Sequence, residues 1–336
     1  MKTIGINFYL TEAEGKGVAF DPECNRGGAA YCRRLKEEFE KRYDVKVRTW
    51  DDVDYSRPDT FAVYFDYNWR HLLHDRVLNR VPFEKRVLIL VEPSNVNPSA
   101  YVVPFLRNRF AEVVTWDESL LATHPEYHRT VPGPFQEPPD YPENRFADIP
   151  FADKKLLVAI AMNRHHWAPW SSHRLRRSAY RFFDRAAPGE FDLFGKGWER
   201  EGFVNCYRGF LDGPKVPTMA HYRFTLCYEN NGVQRGYVTE KIADAICARC
   251  VPVYYGAPDI ERRVPRECFI DARRFRSLEE MREFLVSMSE SEHARYLHAM
   301  DEFCKSDLAK KFTRDYHFDT IAAVLELKRQ SKFSIK

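Results

Sequence analysis

Short apolar runs alternate with amphipathic stretches through the first half of the chain, the pattern by which strands and helices build a parallel sheet. Strands are predicted at Ile4–Tyr9, Val45–Trp50, Phe61–Phe65, Val87–Val91 and Glu112–Trp116. Between the first two, Ala29, Cys32, Leu35, Phe39 and Tyr43 recur at helical spacing within Gly28–Arg42, with charge on the opposite face. Residues 131–150 are too rich in proline for either element and read as a linker.

The second half begins the pattern again. Lys155–Ala161 reads as a strand, Ser171–Asp184 as a helix and Phe191–Phe194 as a strand entering Gly195-Lys196-Gly197. Strand, helix and strand then repeat through 222–256, and Leu278–Met288 and Glu290–Phe303 read as closing helices. A terminal helix, Phe318–Lys328, would pack back on the first domain. The expected fold is therefore α/β, two Rossmann-like domains in succession: 1–150, 151–316, and a C-terminal piece 317–336.

A length of 336 residues accommodates two domains, each with its own core. The net charge of +3 is small, with Lys and Arg spread among nearly as many acids, so the chain lacks the electrostatic footprint of a dedicated nucleic-acid binder while leaving room for a local basic pocket. Aromatic residues make up 15% of the chain, a share that suits sugar stacking and cores alike. No stretch approaches 18 consecutive apolar residues, and Met1–Tyr9 reads as a strand rather than a signal peptide. These features predict no transmembrane segment and a cytoplasmic location, with peripheral placement at the inner membrane left open. The eight cysteines have no framework spacing and are expected to be reduced. Cys247 and Cys250 have a redox or half-zinc spacing, but no second Cys/His pair stands near them, which favours packing.

The candidate chemistry concentrates in residues 224–271. Thr239 is placed to cap a helix beginning at Glu240, so that the free N–H groups of the first turn face the preceding loop and favour an anion there. Lys241 lies in that first turn, where a cation faces the positive end of the helix dipole at a cost of about 0.3–1 kcal/mol. A negatively charged ligand would reverse that balance; on charge alone, a salt bridge to Asp244 one turn later accounts for the lysine as well.

The whole block decides between them. Phe224-Thr-Leu-Cys-Tyr-Glu-Asn230, then Tyr237-Val-Thr-Glu-Lys241, then Val251-Pro-Val-Tyr-Tyr-Gly-Ala-Pro258 resembles the donor-binding signature of the α1,3-fucosyltransferases, glycosyltransferase family 10. The similarity is clear over about 155–275 and faint before it. Tyr228 stands where the family usually has Phe. The resemblance implies the GT-B architecture, two Rossmann-like domains facing a cleft, and a soluble bacterial-type enzyme. It also implies an inverting, metal-independent transfer of L-fucose from GDP-fucose to a GlcNAc- or glucose-type acceptor glycan, with an α1,3 or α1,4 linkage and no cofactor. Asp52-Val-Asp54 is the only Asp-x-Asp motif, and its place in an early polar turn favours surface turn chemistry over metal binding.

Without a metal, Arg and Lys must neutralise the departing diphosphate. Lys241 supplies one cation. The basic helix that follows the first strand of the second domain presents its start at the sheet's carboxyl edge, where such folds bind ligands. The family places a phosphate-contacting Arg four residues before an aromatic on this helix, which selects Arg176 before Tyr180, with Arg174 as the rival. The resemblance likewise assigns donor contacts to Glu229, Asn230, Tyr237 and Glu240, although Glu240 also suits any helix start. For the general base it points to Glu92 of Glu92-Pro93-Ser94, at the end of the strand Val87–Val91. Taken alone, a strand-end Glu is more often a turn or ion-pair residue; His165, His166, His124 and Asp117 are the other candidates. The rival functions are a transferase of the same fold using another GDP- or UDP-sugar, and a catalytically silent glycan- or nucleotide-binding protein. A nicotinamide dehydrogenase fits poorly, because no Gly-x-Gly-x-x-Gly follows the first strand.

Overall fold

Alternate residues of the strand Thr60–Phe65 feed two different cores: Val63 and Phe65 pack into one, Ala62 and Tyr64 into the other. That is the period-two signature of a strand covered on both faces. The computed structural model describes residues 1–8, 20, 21, 23, 29–74, 78–102, 104–131, 149–164 and 168–327. The chain divides into two units, Met1–Pro132 with Asp315–Lys336, and Gly133–Arg314.

In the first unit, β1 (Lys2–Phe8), β2 (Val45–Thr49), β3 (Thr60–Phe65), β4 (Arg86–Ile89), β5 (Glu112–Thr115) and the short β6 (His128–Arg129) pair in parallel in the order β2-β1-β3-β4-β5-β6. On one face lies α1 (Ala29–Arg42), whose Cys32, Leu35 and Phe39 are buried, followed by Tyr43. A short helix α2 (Glu118–Thr123) follows β5. The two-residue β6 has no apolar run to announce it and is absent from the sequence reading.

In the second unit, β7 (Lys155–Ile160), helix α3 (His173–Ala186), β8 (Phe191–Phe194), β9 (Tyr222–Tyr228), helix α4 (Glu240–Cys247), β10 (Val251–Tyr255) and β11 (Ile270–Asp271) alternate along the chain. The parallel sheet runs β8-β7-β9-β10-β11. Helices α5 (Leu278–Ser287) and α6 (Glu290–Cys304) complete it, α6 opening with a full capping box between Ser289 and Glu292. The last helix, α7 (Arg314–Val324), lies with the first unit: Phe318, Ile321 and Ala322 join the core on the α1 face, and Tyr43 donates to Asp319.

In both sheets the second strand lies to one side of the first and the third to the other. The strand order therefore reverses between β1 and β3 in one unit and between β7 and β9 in the other, and ligands of open α/β sheets bind beyond the carboxyl ends of strands at such points. The next residue after β3 is Asp66, and the next after β9 is Glu229.

Candidate active site

Beyond β9 the chain places a carboxylate where water cannot reach it. Glu229 is fully buried, yet its N–H continues the sheet ladder to the Tyr255 carbonyl at 2.8 Å, so its position follows from the β9–β10 register. A buried carboxylate persists only when its acceptors are filled. Here the Thr239 N–H donates to Oε1 at 2.8 Å, the Thr239 hydroxyl lies 2.7 Å from Oε2, and the Lys241 ammonium donates to Oε2 at 3.1 Å.

Thr239 has a second role as the cap of α4. Its backbone is extended and its Oγ1 accepts from the Lys241 N–H at 3.4 Å. The same oxygen accepts from the Lys241 ammonium at 3.0 Å. Among the described residues the ion pairs of Lys241 are to Glu229 at 3.1 Å and to Glu240 at 3.9 Å, not to Asp244. Burial pulls the lysine's pKa down, but Glu229 and Glu240 outweigh it and raise it above the ordinary value, so the side chain is held as a cation. Burial likewise opposes ionisation of Glu240, and Lys241 and Lys215 overcome it, bringing its carboxyl down to about 2.

Helix α3 carries the second cation. Of its five arginines, at 174, 176, 177, 181 and 185, Arg176 is the buried one, because the apolar stripe that includes Ala179, Tyr180 and Phe183 turns that face to the sheet. Its Nη2 donates to the Tyr228 carbonyl at 2.5 Å and to the Asn230 side-chain oxygen at 3.3 Å. Asn230 in turn donates to the Tyr237 hydroxyl at 3.4 Å. Arg174 is exposed, Arg177 donates to the Arg164 carbonyl at 3.2 Å, and Arg181 pairs with Glu201 at 2.6 Å. The fold thus gathers Arg176, Glu229, Asn230, Tyr237, Glu240 and Lys241 at one edge of the second sheet.

Arg273 escaped the sequence reading. Its guanidinium lies over the Tyr255 ring, 4.3 Å from the centroid, and donates to the Gly232 carbonyl at 2.7 Å and to the Gly256 carbonyl. It ties the loop after β9 to the turn after β10. Both glycines are required by close approach: a Cβ on Gly232 would lie 2.3 Å from the Tyr255 ring, and one on Gly256 2.6 Å from Cγ of Glu229. The sequence signal was an arginine two residues past Asp271, too weak to notice without the partners.

Glu92 belongs to the first unit. Strand β4 ends at Ile89, two residues before the boundary expected from its apolar run, because the N–H groups of Val91 and Glu92 turn away from the sheet to Asp66 at 2.9 and 3.0 Å. Of the other base candidates, Asp117 is the buried N-cap of α2, accepting from Ser119 and Leu120 at 2.8 and 3.0 Å. His124 stacks on Tyr127 with ring centroids 4.5 Å apart. His165 and His166 lie outside the described residues, as does the linker from 132 to 148. Asp54 closes a surface turn, accepting from the Ser56 N–H and hydroxyl at 3.1 and 2.6 Å. Among the described residues no group of three or more His, Cys, Asp or Glu side chains is arranged to hold a metal, seven cysteines are free, and no helix is long and apolar enough to cross a membrane.

The segment that builds this edge also matches a family model. Residues 156–331, more than half of the chain, fit the model of glycosyltransferase family 10 (fucosyltransferase), C-terminal region. The chain belongs to that family. Among curated relatives, alpha-(1,3)-fucosyltransferase 7 of Homo sapiens is 32% identical over 162 residues, 43% of this chain and 45% of that protein. Alpha-(1,3)-fucosyltransferase FucT of Helicobacter pylori is 31% identical over 84 residues, 25% of this chain and 17% of that protein. The aligned regions span less than half of either relative. Among solved structures, an α1,3-fucosyltransferase crystallised with GDP superposes with a TM-score of 0.54 at 14% identity, over 97% of this chain and 90% of the other. The T4 phage β-glucosyltransferase in complex with UDP-glucose superposes with a TM-score of 0.56 at 12% identity, over 97% and 100%. At such identities the likeness is one of fold, and the fold is the α/β GT-B architecture. Within this family 10 chain, the matched segment contains Arg176, Glu229, Asn230, Tyr237, Glu240 and Lys241, whereas Glu92 and Asp66 precede it.

Proposed function

We propose that this chain transfers L-fucose from GDP-fucose to a hydroxyl of a GlcNAc- or glucose-type acceptor glycan, with inversion and without a metal, forming an α1,3 or α1,4 linkage. The observation that carries the reading is the pair of cations at the carboxyl edge of β9. Arg176 uses only Nη2 among the described residues, so Nε and Nη1 of its fork have no protein partner there, and Lys241 spends two of its three donors on Glu229 and Thr239. Such donors, fixed before the ligand arrives, suit a diphosphate whose charge grows as the glycosidic bond breaks.

In this reading the α4 N-terminus and Lys241 take the phosphate nearer the sugar, and Arg176 reaches the diphosphate from α3. Glu240 and Tyr237 contact the nucleoside and sugar, and Glu229 and Asn230 hold the two cations in place. Glu92 removes the proton of the acceptor hydroxyl, whose oxygen attacks the anomeric carbon through an oxocarbenium-like transition state while the bond to GDP breaks. The test is a thermal-shift panel of GDP, UDP and their sugars, followed by mass spectrometry of products from GDP-fucose on a glycan acceptor array. Selective stabilisation by GDP and a deoxyhexose added to an acceptor are expected. Stabilisation by UDP alone, or transfer of another sugar only, overturns the choice of donor, and binding without any transfer or donor hydrolysis overturns the enzyme.

A further inference from the structure

All four backbone groups of the dipeptide Val91–Glu92 are held by side chains rather than by the sheet. The Val91 N–H donates to Asp66 Oδ1 at 2.9 Å and the Glu92 N–H to Asp66 Oδ2 at 3.0 Å. The Val91 carbonyl accepts from the Trp116 indole at 3.0 Å, and the Glu92 carbonyl accepts from the Tyr101 hydroxyl at 2.7 Å. These three side chains come from the ends of β3 and β5 and from the helical turn at Ser99–Val102, so three separate segments converge on one peptide link. From this geometry we propose that Asp66 is a positioning residue for Glu92, and that Tyr101 and Trp116 complete the clamp. The inference rests on the reading of Glu92 as the base.

Three further observations support it. Asp66 adopts a left-handed backbone with φ 53°, one of three non-glycine residues among those described to do so, and such strain persists only where the surroundings impose it. It also follows β3 directly, at the point where the strand order of the first sheet reverses. Its side chain is 3% exposed while Glu92 is half-buried, and burial, followed by the charge of Glu92, pushes the Asp66 carboxyl up to about 8. Tyr101, whose hydroxyl holds the Glu92 carbonyl, lies in electrostatic reach of Asp66, Asp117, Glu92 and Arg107. A turn that only closed a strand end would need one or two of these bonds; four of them fix the direction in which Glu92 leaves the backbone.

The experiment is a double-mutant cycle on the full chain. Asp66→Asn and Tyr101→Phe are each made alone and on Glu92→Gln, and kcat for transfer per folded enzyme is measured beside GDP affinity. Asp66→Asn keeps the shape but puts an NH2 donor, which cannot accept, opposite one of the two N–H groups that Asp66 oxygens receive. It is expected to lower kcat about 10–100-fold, the scale for residues that orient a reacting group. GDP affinity should not change, and no further loss should appear on Glu92→Gln, because Asp66 acts through the group already removed. An unchanged kcat in Asp66→Asn with Glu92→Gln impaired overturns the positioning role alone. The same fractional loss in both backgrounds overturns it too, since that is the mark of a structural acid. If Glu92→Gln itself transfers at the wild-type rate, the base assignment fails first and is recognised as such. Should Asp66→Asn not fold, Tyr101→Phe, which loses one hydroxyl and keeps its ring, carries the same cycle with a smaller expected loss.

Discussion

The ammonium of Lys241 lies 3.1 Å from Oε2 of Glu229, and Glu229 is fully buried. This pair makes the cation at the start of α4 permanent, and it makes each partner depend on the other. Removing one member of a buried pair leaves an uncompensated charge, at a cost of about 3–5 kcal/mol, whereas replacing both by apolar groups of similar shape is often neutral. The stability and the chemistry of this site can therefore be separated.

Lys241→Ala is expected to lower both the urea midpoint and transfer, the latter by about 10²–10³-fold, the scale for losing one fixed transition-state donor. The combination Glu229→Leu with Lys241→Met should recover much of the stability and none of the transfer. Recovery of transfer by the double variant would mean that Lys241 is structural only.

Arg176→Ala should lower turnover by about 10²–10³-fold and weaken GDP binding, whereas Arg174→Ala should stay near wild type. Arg174 is exposed and Arg176 reaches the end of β9, which is the basis for the difference. Isothermal titration with GDP beside initial rates checks it. The reverse result would move the phosphate contact two positions along α3.

Transfer should persist in excess EDTA, since Arg176 and Lys241 are proposed to meet the diphosphate charge. Initial rates before and after chelation decide the matter. Loss of turnover restored by manganese or magnesium would place a metal in the reaction.

Acid should weaken the fold through two buried imidazoles. Burial brings His293 and His317 down to about 4 from an ordinary 6.5; His293 keeps a bond of 3.1 Å to the Arg223 carbonyl, and His317 sits between Tyr31 and Thr130 at 2.7 and 2.8 Å. Between those two pH values the unfolded chain binds protons that the folded chain refuses. Their contribution is thus present above about 6.5 and is lost as pH falls toward 4. Urea midpoints across this window should fall less steeply for His317→Gln than for wild type. Parallel curves would exclude His317 as a source of the acid sensitivity.

Reading residues in order was enough for what depends on neighbours in the chain. The alternation in Thr60–Phe65 and the helical spacing of Cys32, Leu35 and Phe39 announced their elements, since burying one face or two imposes those periods. Thr239 announced the start of α4 because an N-cap is a contact within three residues. The family block placed Glu229 and Lys241 in one motif, and the family's Arg-to-aromatic spacing on the preceding basic helix selected Arg176. What no local rule supplied is which strand ends meet. Sheet order brought Arg176 to a carbonyl 52 positions away, Arg273 to one 41 away, and Asp66 to the N–H of Glu92 across 26. Each of these bonds joins segments whose own residues are indifferent to the partner, so only the assembled sheets, with their register and their reversal of strand order, decided that Glu229 would be buried, that β4 would stop short, and that Asp66 would hold Glu92.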